Sequence, residues 1–364
     1  MDQKTENRFK LGLVILSIAL PLLAAEIYVR LKSPYGYWTP TIERARTFPY
    51  TGSVFCRYVF EEKERVVREG DVEYPINALG YRGRTFQVEK PSNTVRVLVY
   101  GGSTVLDLAA SGDTDWPHQI EQVLRERGIE NVEVINAGIS GYTTFDCLGR
   151  LYSEGHRLSP DYVVLYDTWN DLKYFRFKEP ILRIFKPYRP DPRLVYHGWA
   201  DRLMCHVSQL YVRLRNRFLS RQFRMGAEGI IPTGEMPAKI QQPALDQYRL
   251  NLKLFVDCAR NIGAVPLLMT EARLTTPDLP DSARKKIPYE YTMFDHKGLL
   301  NAYEEADRII KEVGREKKVD VIDASAVLSG DERLLYDHVH TTAKGSKKLA
   351  ELVAGYLEKS LSAQ

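Results

Sequence analysis

The 364-residue sequence predicts an α/β protein in which a parallel sheet is covered on both faces by helices, preceded by one apolar segment of membrane length. Three observations carry this reading. Five short apolar runs read as strands, at Val95 to Gly101, Val132 to Gly138, Tyr162 to Tyr166, Val265 to Thr270 and Val319 to Asp323. They alternate with longer stretches whose apolar residues recur at helical spacing, and strands buried on both faces are near-continuously apolar rather than alternating. Upstream, residues 11–29 read LGLVILSIALPLLAAEIYV, and a hydrophobic content of 44% suffices for one full core together with that segment.

Taken from the N-terminus, the apolar run would span roughly 28 Å as a helix, about one bilayer core. Pro21 and Glu26 interrupt it, and Ala24 and Ala25 offer a site for signal peptidase. A retained anchor over residues 1–32 and a cleaved signal peptide are therefore both readings, the length favouring the anchor. Lys4, Arg8 and Lys10 precede the run and Arg30 and Lys32 follow it, a slight bias towards a cytoplasmic N-terminus. The expected localisation is a single-pass membrane protein whose globular part is extracytoplasmic, on the periplasmic or extracellular side.

Residues 33–91 read as an irregular extension, an appendage containing one short hairpin around Val66 to Tyr74 and a turn, NALGYRG, from Asn77 to Gly83 that packs near the site. Residues 92–364 form the main domain. In it Asp115 leads into a helix carrying Ile120, Val123 and Leu124; further helices cover Leu245 to Ile262, Leu299 to Val313 and Ala343 to Leu361.

Between the third and fourth strands lies an insertion, residues 173–226, rich in Arg, Lys, Tyr and Phe. Its first part, KEPILRIFKPYRPDP, is broken by prolines. Its second part, around Leu203 to Phe223, has the pattern of amphipathic helices that expose Arg202, Arg213, Arg215, Arg217, Arg221 and Arg224. This is either a solvated basic face or a cap that rests on anionic lipid headgroups or guides an acidic substrate.

The charge balance, 51 Lys and Arg against 47 Asp and Glu, gives no reason to expect a nucleic-acid partner. Cys56, Cys147, Cys205 and Cys258 contain no C-x-x-C pair, which argues against a zinc ribbon or a redox motif, and Cys147 and Cys258 fall in helical patterns where buried free thiols are expected. No cofactor is called for.

In an open parallel sheet, functional groups gather at the carboxyl ends of the strands. The first strand exits through VLVYGGST, which puts Ser103 on a sharp Gly-rich turn where a hydroxyl can be exposed beside backbone N–H groups. No G-K-[ST] follows, so the loop is not a P-loop. INAGISGYTT follows the second strand and YDTWND the third; Gly141 can bring a backbone N–H to a substrate, and Asn170 offers a side-chain amide. DHVHTTAKG, before the last helix, separates Asp337 and His340 by a short turn. That spacing lets the carboxylate bond one imidazole nitrogen while the other takes a proton from a serine. Asp337, His338 and His340 could instead ligate a metal, but no further His or Cys cluster completes such a site, and no metal is expected. Glu271 and Arg273 follow the fourth strand in LLMTEARL; Arg273 is a candidate contact for an anionic substrate, or one half of a structural ion pair.

The ordered set GGST, SGYTT, WND and DHVH resembles the four sequence blocks of the SGNH hydrolases, also called GDSL-type esterases, over roughly Val95 to Tyr356 without the insertion. DTDWPHQIEQVL and INAGISGYTT are similar to the corresponding stretches of the periplasmic thioesterase and lysophospholipase branch. The resemblance implies a flavodoxin-like three-layer α/β/α sandwich with a five-stranded parallel sheet. It also implies Ser103 as nucleophile, His340 as base, Asp337 as its orienting partner, and an oxyanion hole made by Ser103, Gly141 and Asn170. Two residues depart from the family pattern. Gly102 stands where Asp is usual, and Trp169 stands where Gly precedes the Asn, placing an indole beside the oxyanion hole as a candidate substrate contact.

Three functions are compatible with these residues. The leading one is hydrolysis of a carboxylic ester, acyl or acetyl, borne by a small molecule, lipid or glycan. The second is O-acyl transfer to, or deacetylation of, a cell-envelope polysaccharide, with a sugar hydroxyl in place of water. The third is a catalytically silent domain that binds a glycan or partner at the membrane, for which Gly102 and Trp169 are the motive. Membrane contact is expected through the N-terminal helix and, in the cap reading, through the basic insertion.

Overall fold

A computed structural model describes residues 3–32, 50–69, 72–179, 196–223 and 236–362. They fall into two units, 3–32 with 196–223, and 50–179 with 236–362.

The larger unit is built on five parallel strands in the order β6-β5-β7-β8-β9, the flavodoxin-like sequence 2-1-3-4-5. These are β5 (Val95–Gly101), β6 (Val132–Asn136), β7 (Tyr162–Tyr166), β8 (Val265–Met269) and β9 (Val321–Ile322). Side chains alternate across a strand, so each run feeds two cores. Leu98, Tyr100, Val163 and Leu165 pack on one face with α4 (Thr144–Glu154), α8 (Gln242–Asn261) and α11 (His296–Lys317). Val97, Val99, Val164 and Tyr166 pack on the other with α3 (Trp116–Glu126), α12 (Ala324–Leu328) and α13 (Ala343–Ser362). The three-layer sandwich is therefore present. The fifth strand is shorter than the apolar run suggested, because Asp323 already caps α12 by accepting the N–H of Ala326.

Short helices sit at the strand exits and in the loops: α2 (Ser103–Leu106), α5 (Trp169–Leu172), α9 (Asp281–Arg284) and α10 (Tyr289–Thr292). Local chemistry starts the longer ones. Thr143 and Asp146 form a capping box at α4, and Asp115 caps α3 with Pro117 in its first turn. All four cysteines are free, and Cys147 is buried within α4.

Ahead of the sheet, two hairpins stand among the described residues where one was expected. The expected one pairs β3 (Arg65–Glu69) with β4 (Val72–Ile76); the other pairs β1 (Tyr50–Gly52) with β2 (Tyr58–Phe60). In the turn that follows, Asn77 Oδ1 accepts the N–H groups of Leu79 and Tyr81 at 2.9 and 3.1 Å. Arg82 then pairs with Asn136 at the edge of β6, and its buried guanidinium donates to the carbonyls of Leu106, Asp107, Ala110 and Gly112 while lying 3.2 Å from Asp115. The described residues of the extension thus pack into the core of the sandwich and are no mere appendage. Its arginine holds the loop that follows the first strand.

The smaller unit consists of α1 (Gln3–Lys32), α6 (Trp199–Val207) and α7 (Gln209–Phe223). Within α1, Thr5–Lys32 contains an 18-residue window with a mean hydropathy of 2.2 that is almost wholly exposed, long and apolar enough to cross a membrane. The charge that interrupts it has a structural use. Glu26 accepts the N–H groups of Gln209 and Leu210, each at 2.9 Å, and the hydroxyl of Ser208 at 2.8 Å, so it caps α7 from another helix. Arg30, paired with Glu26, donates to the carbonyl of Val207 at 2.9 Å.

The basic insertion does not expose all of its arginines. Arg202 and Arg217 are exposed, but the Arg215 side chain is only 7% exposed, because Asp201 pairs with its guanidinium at 2.6 Å beside the small core of Cys205 and Val212. Arg213 is half-buried. The side chains of Arg221 and Arg224, and residues 180–192 of the proline-broken stretch, lie outside the described residues.

Candidate active site

Chain segments far apart in sequence meet at the carboxyl edge of the sheet. The first strand ends in Gly101, where a Cβ would lie 2.2 Å from the carbonyl oxygen of Tyr166, so only glycine lets the strand exit turn this closely past β7. Ser103 then opens α2. Its Oγ lies 2.8 Å from His340 Nε2, and His340 Nδ1 lies 2.8 Å from Asp337 Oδ2. The other carboxylate oxygen of Asp337 accepts the N–H groups of Val339 and His340 at 3.0 and 2.8 Å. Burial alone would raise the Asp337 carboxyl; the hydrogen bond from His340, the two neighbouring imidazoles and the His340 N–H outweigh it and hold the group at about 2. An ionised Asp337 fixes the proton of His340 on Nδ1 and leaves Nε2 free to accept from the serine hydroxyl.

Around this line the aromatic rings are packed. Tyr336 stacks on His340 at 5.8 Å between ring centroids. Trp169 is buried, stacks on Tyr291 at 5.4 Å and lies against His338 at 4.3 Å. Burial lowers His338 to about 4, with Asp337 opposing and His340 adding to the shift, so its ring is neutral at ordinary pH. The donor atoms of Asp337, His338 and His340 lie within 4.8 Å of one another, a spacing a metal ion could use, although two of them are hydrogen-bonded to each other.

The other strand ends bring amide groups to the same edge. Gly141 has φ +80°, in the region that favours glycine, and a Cβ there would lie 2.8 Å from the hydroxyl of Tyr58. Asn170, buried in the first turn after the third strand, accepts at Oδ1 from the hydroxyl of Tyr291 at 2.7 Å. Its Nδ2 lies on the Gly102 side, where a Cβ on that glycine would come within 2.7 Å.

Glu271 joins these parts from beneath. Its carboxyl accepts the Thr104 hydroxyl at 3.0 Å and the Trp169 N–H at 2.5 Å, so one side chain ties the turn after Ser103 to the turn before Asn170. Burial raises Glu271 to about 7 against the pull of those two donors, His340 and Arg273. Arg273 turns elsewhere: it pairs with Asp307 at 2.8 Å and lies over the Tyr303 ring, which is the ion-pair alternative, with a partner other than Glu271.

The sequence-derived residues Ser103, Gly141, Trp169, Asn170, Asp337 and His340 therefore lie at one sheet edge, and Arg273 is engaged beside it. Sequence reasoning missed Tyr58, Arg57, Tyr291 and Lys173, and treated Glu271 only as an ion-pair candidate. Glu271 had a signal, a carboxylate at a strand end; the others had none.

Residues 98–348 match the model of the GDSL-like lipase/acylhydrolase family. Similar solved structures include a lipase/acylhydrolase from Enterococcus faecalis, at 18% identity over 73% of this chain and 97% of that one with a TM-score of 0.45. Another is an acetylxylan esterase from Geobacillus stearothermophilus, at 16% identity over 72% and 94% of the two chains with a TM-score of 0.42. No curated protein matches the sequence.

Proposed function

Because the chain belongs to the GDSL-like lipase/acylhydrolase family, we propose that it hydrolyses a carboxylic ester with Ser103 as nucleophile, His340 as general base and acid, and Asp337 as the group that orients His340. One observation carries this reading: His340 lies 2.8 Å from Ser103 Oγ on one side and 2.8 Å from Asp337 on the other. A serine hydroxyl attacks an acyl carbon only as its proton leaves, and here the acceptor is already in line.

Attack of Ser103 Oγ on the acyl carbon sends its proton to His340 Nε2 and puts negative charge on the carbonyl oxygen. The N–H groups of Ser103 and Gly141 and the Nδ2 of Asn170 receive that oxyanion. Collapse of the tetrahedral species expels the alcohol, which takes the proton from His340, and leaves an acyl ester on Ser103. Water then adds to this ester, giving a proton to His340, and the second collapse returns that proton to Ser103 and releases the acid. Trp169, beside Asn170, stacked on Tyr291 and lying against His338, bounds the acyl side of the site and favours short acyl groups such as acetyl.

The test is turnover of p-nitrophenyl acetate and longer-chain esters by the wild type, Ser103→Ala and His340→Ala, together with labelling by a serine-directed phosphonate. Both variants should lose turnover while remaining folded, and Ser103→Ala should lose the label. Unchanged turnover or label in Ser103→Ala would sink the assignment.

The enzyme is proposed to act at a membrane, held by α1 as a retained anchor with the catalytic unit on the extracytoplasmic side. The hydrogen bonds from Ser208, Gln209 and Leu210 to Glu26 support retention, since the last turns of α1 complete the fold of α6 and α7. Alkaline carbonate should leave the mature chain in the membrane pellet with α1 present by mass spectrometry. A soluble mature chain beginning after Ala25 would overturn the anchor.

A further inference from the structure

An amide donates usefully to an oxyanion only if it is aimed, and the aim of an amide can be set from its other end. In a trans peptide the N–H and the preceding C=O lie in one plane and point in opposite directions. The N–H of Gly141 shares its peptide with the carbonyl of Ser140, and that carbonyl accepts a hydrogen bond from the hydroxyl of Tyr58. The carbonyl of the next peptide, that of Gly141, accepts from Arg57. Arg57 is itself fixed by a buried ion pair with Asp146 at 2.9 Å and lies over the Tyr58 ring at 5.4 Å. Both peptides flanking Gly141 are thus held from the side of the first hairpin.

The second amide donor has the same arrangement in side-chain form. Asn170 Oδ1 accepts from Tyr291 at 2.7 Å, which leaves Nδ2 directed away from Tyr291 and towards Gly102. Lys173 Nζ donates to the Tyr291 oxygen at 2.6 Å and lies over the Tyr291 ring at 4.6 Å. An ammonium has donors and no acceptor, so the single proton of Tyr291 goes to Asn170 and the amide is held in one of its two orientations.

We propose that Tyr58 and Tyr291 are positioning residues of the oxyanion hole, each aiming one amide donor by holding the oxygen at that amide's opposite end. The inference rests on the acyl-transfer reading of the site given above. Neither tyrosine touches the reacting atoms. Each acts through an amide, and each is contacted by a cation, Tyr58 by its neighbour Arg57 and Tyr291 by Lys173 from the segment that carries Asn170.

The experiment compares the full chain with Tyr58→Phe, Tyr291→Phe, Asn170→Ala and the double variant Asn170→Ala/Tyr291→Phe on a short p-nitrophenyl ester. Loss of one oxyanion donor lowers kcat by about 10²- to 10³-fold, and the two tyrosine variants, which leave the donor in place but unaimed, should each lower it by about 10- to 100-fold with KM within about twofold of wild type. In the Asn170→Ala background, Tyr291→Phe should have no further effect, because the amide it aims is gone. Wild-type kcat in both tyrosine variants, or an equal fall from Tyr291→Phe with and without Asn170, would overturn the inference. Ser103→Ala separates the two levels: if it is inactive while the tyrosine variants are fully active, only the positioning role falls. Where ester turnover is slow, the rate of phosphonylation at Ser103 gives the same comparison. Failure of wild type to react with either reagent removes the reading and the inference together.

Discussion

Gly102 and Asn170 compete for one space: a Cβ at position 102 would lie 2.7 Å from Asn170 Nδ2 and 3.3 Å from the carbonyl oxygen of Tyr142. The amide of Asn170 occupies the room that a side chain at 102 would need. Gly102→Ala should lower kcat by more than about 10-fold with little change in thermal midpoint, since small displacements of a catalytic donor are costly. Gly102→Asp, which restores the family residue, should lower it further instead of raising it. Steady-state kinetics on both variants checks this, and a Gly102→Asp enzyme as active as wild type would remove the steric account.

Asp337 is expected to matter through its charge and through its two oxygens together. In Asp337→Asn the amide can offer an N–H to His340 Nδ1, which favours the wrong tautomer, so kcat should fall by about 10³- to 10⁴-fold. Held at about 2, Asp337 stays ionised at every pH at which the enzyme is assayed, so its titration contributes no limb to the kcat/KM profile between pH 4 and 9. A residual activity within tenfold of wild type would mean that another group sets the His340 tautomer.

Glu271 sets a pH dependence of stability. Its folded value, about 7, lies above the roughly 4.3 of an unfolded glutamate, so between these values the folded chain holds a proton that the unfolded chain has released. Stability contributed by this group is complete below about pH 4 and is lost as pH rises towards 7. Asp171, also raised to about 7 by burial, acts in the same direction, while His338, lowered to about 4, acts in the opposite one between pH 4 and 6.5. Glu271→Gln removes one contribution of about 2–3 kcal/mol, so the variant should lose less stability than wild type between pH 5 and 8. Urea unfolding at pH 5, 6, 7 and 8 measures the difference, and parallel curves for the two proteins would count against a raised Glu271.

Glu26 is expected to stabilise the first turn of α7 as an N-cap does. Glu26→Ala leaves the N–H groups of Gln209 and Leu210 without their acceptor, at a cost of about 1 kcal/mol. Hydrogen exchange at those two amides should then quicken by about fivefold in detergent-solubilised full chain. Unchanged exchange would show that the cap contributes nothing in solution.

The division between what was legible and what was not follows from the range of the interactions. Five strands, their order of appearance and most helices were readable because burial on both faces of a parallel sheet leaves continuous apolar runs, and helical packing leaves a period. Ser103, Gly141, Asn170, Asp337 and His340 were readable because strand ends and short turns place them, and such turns are written in neighbouring residues. The cap over Arg215 was misjudged because helical periodicity places a residue on a face without saying that Asp201 covers that face.

By itself, then, the sequence determined the sheet, which residues gather at its carboxyl edge, and the family. Only the tertiary structure decided what aims them. Tyr58 lies 82 residues from Ser140, Tyr291 lies 121 from Asn170, Glu271 lies 102 from Trp169, and Glu26 lies 182 from Ser208. A hydrogen bond between such partners depends on distances and angles that exist only after packing, and it leaves no pattern along the chain from which it could be read.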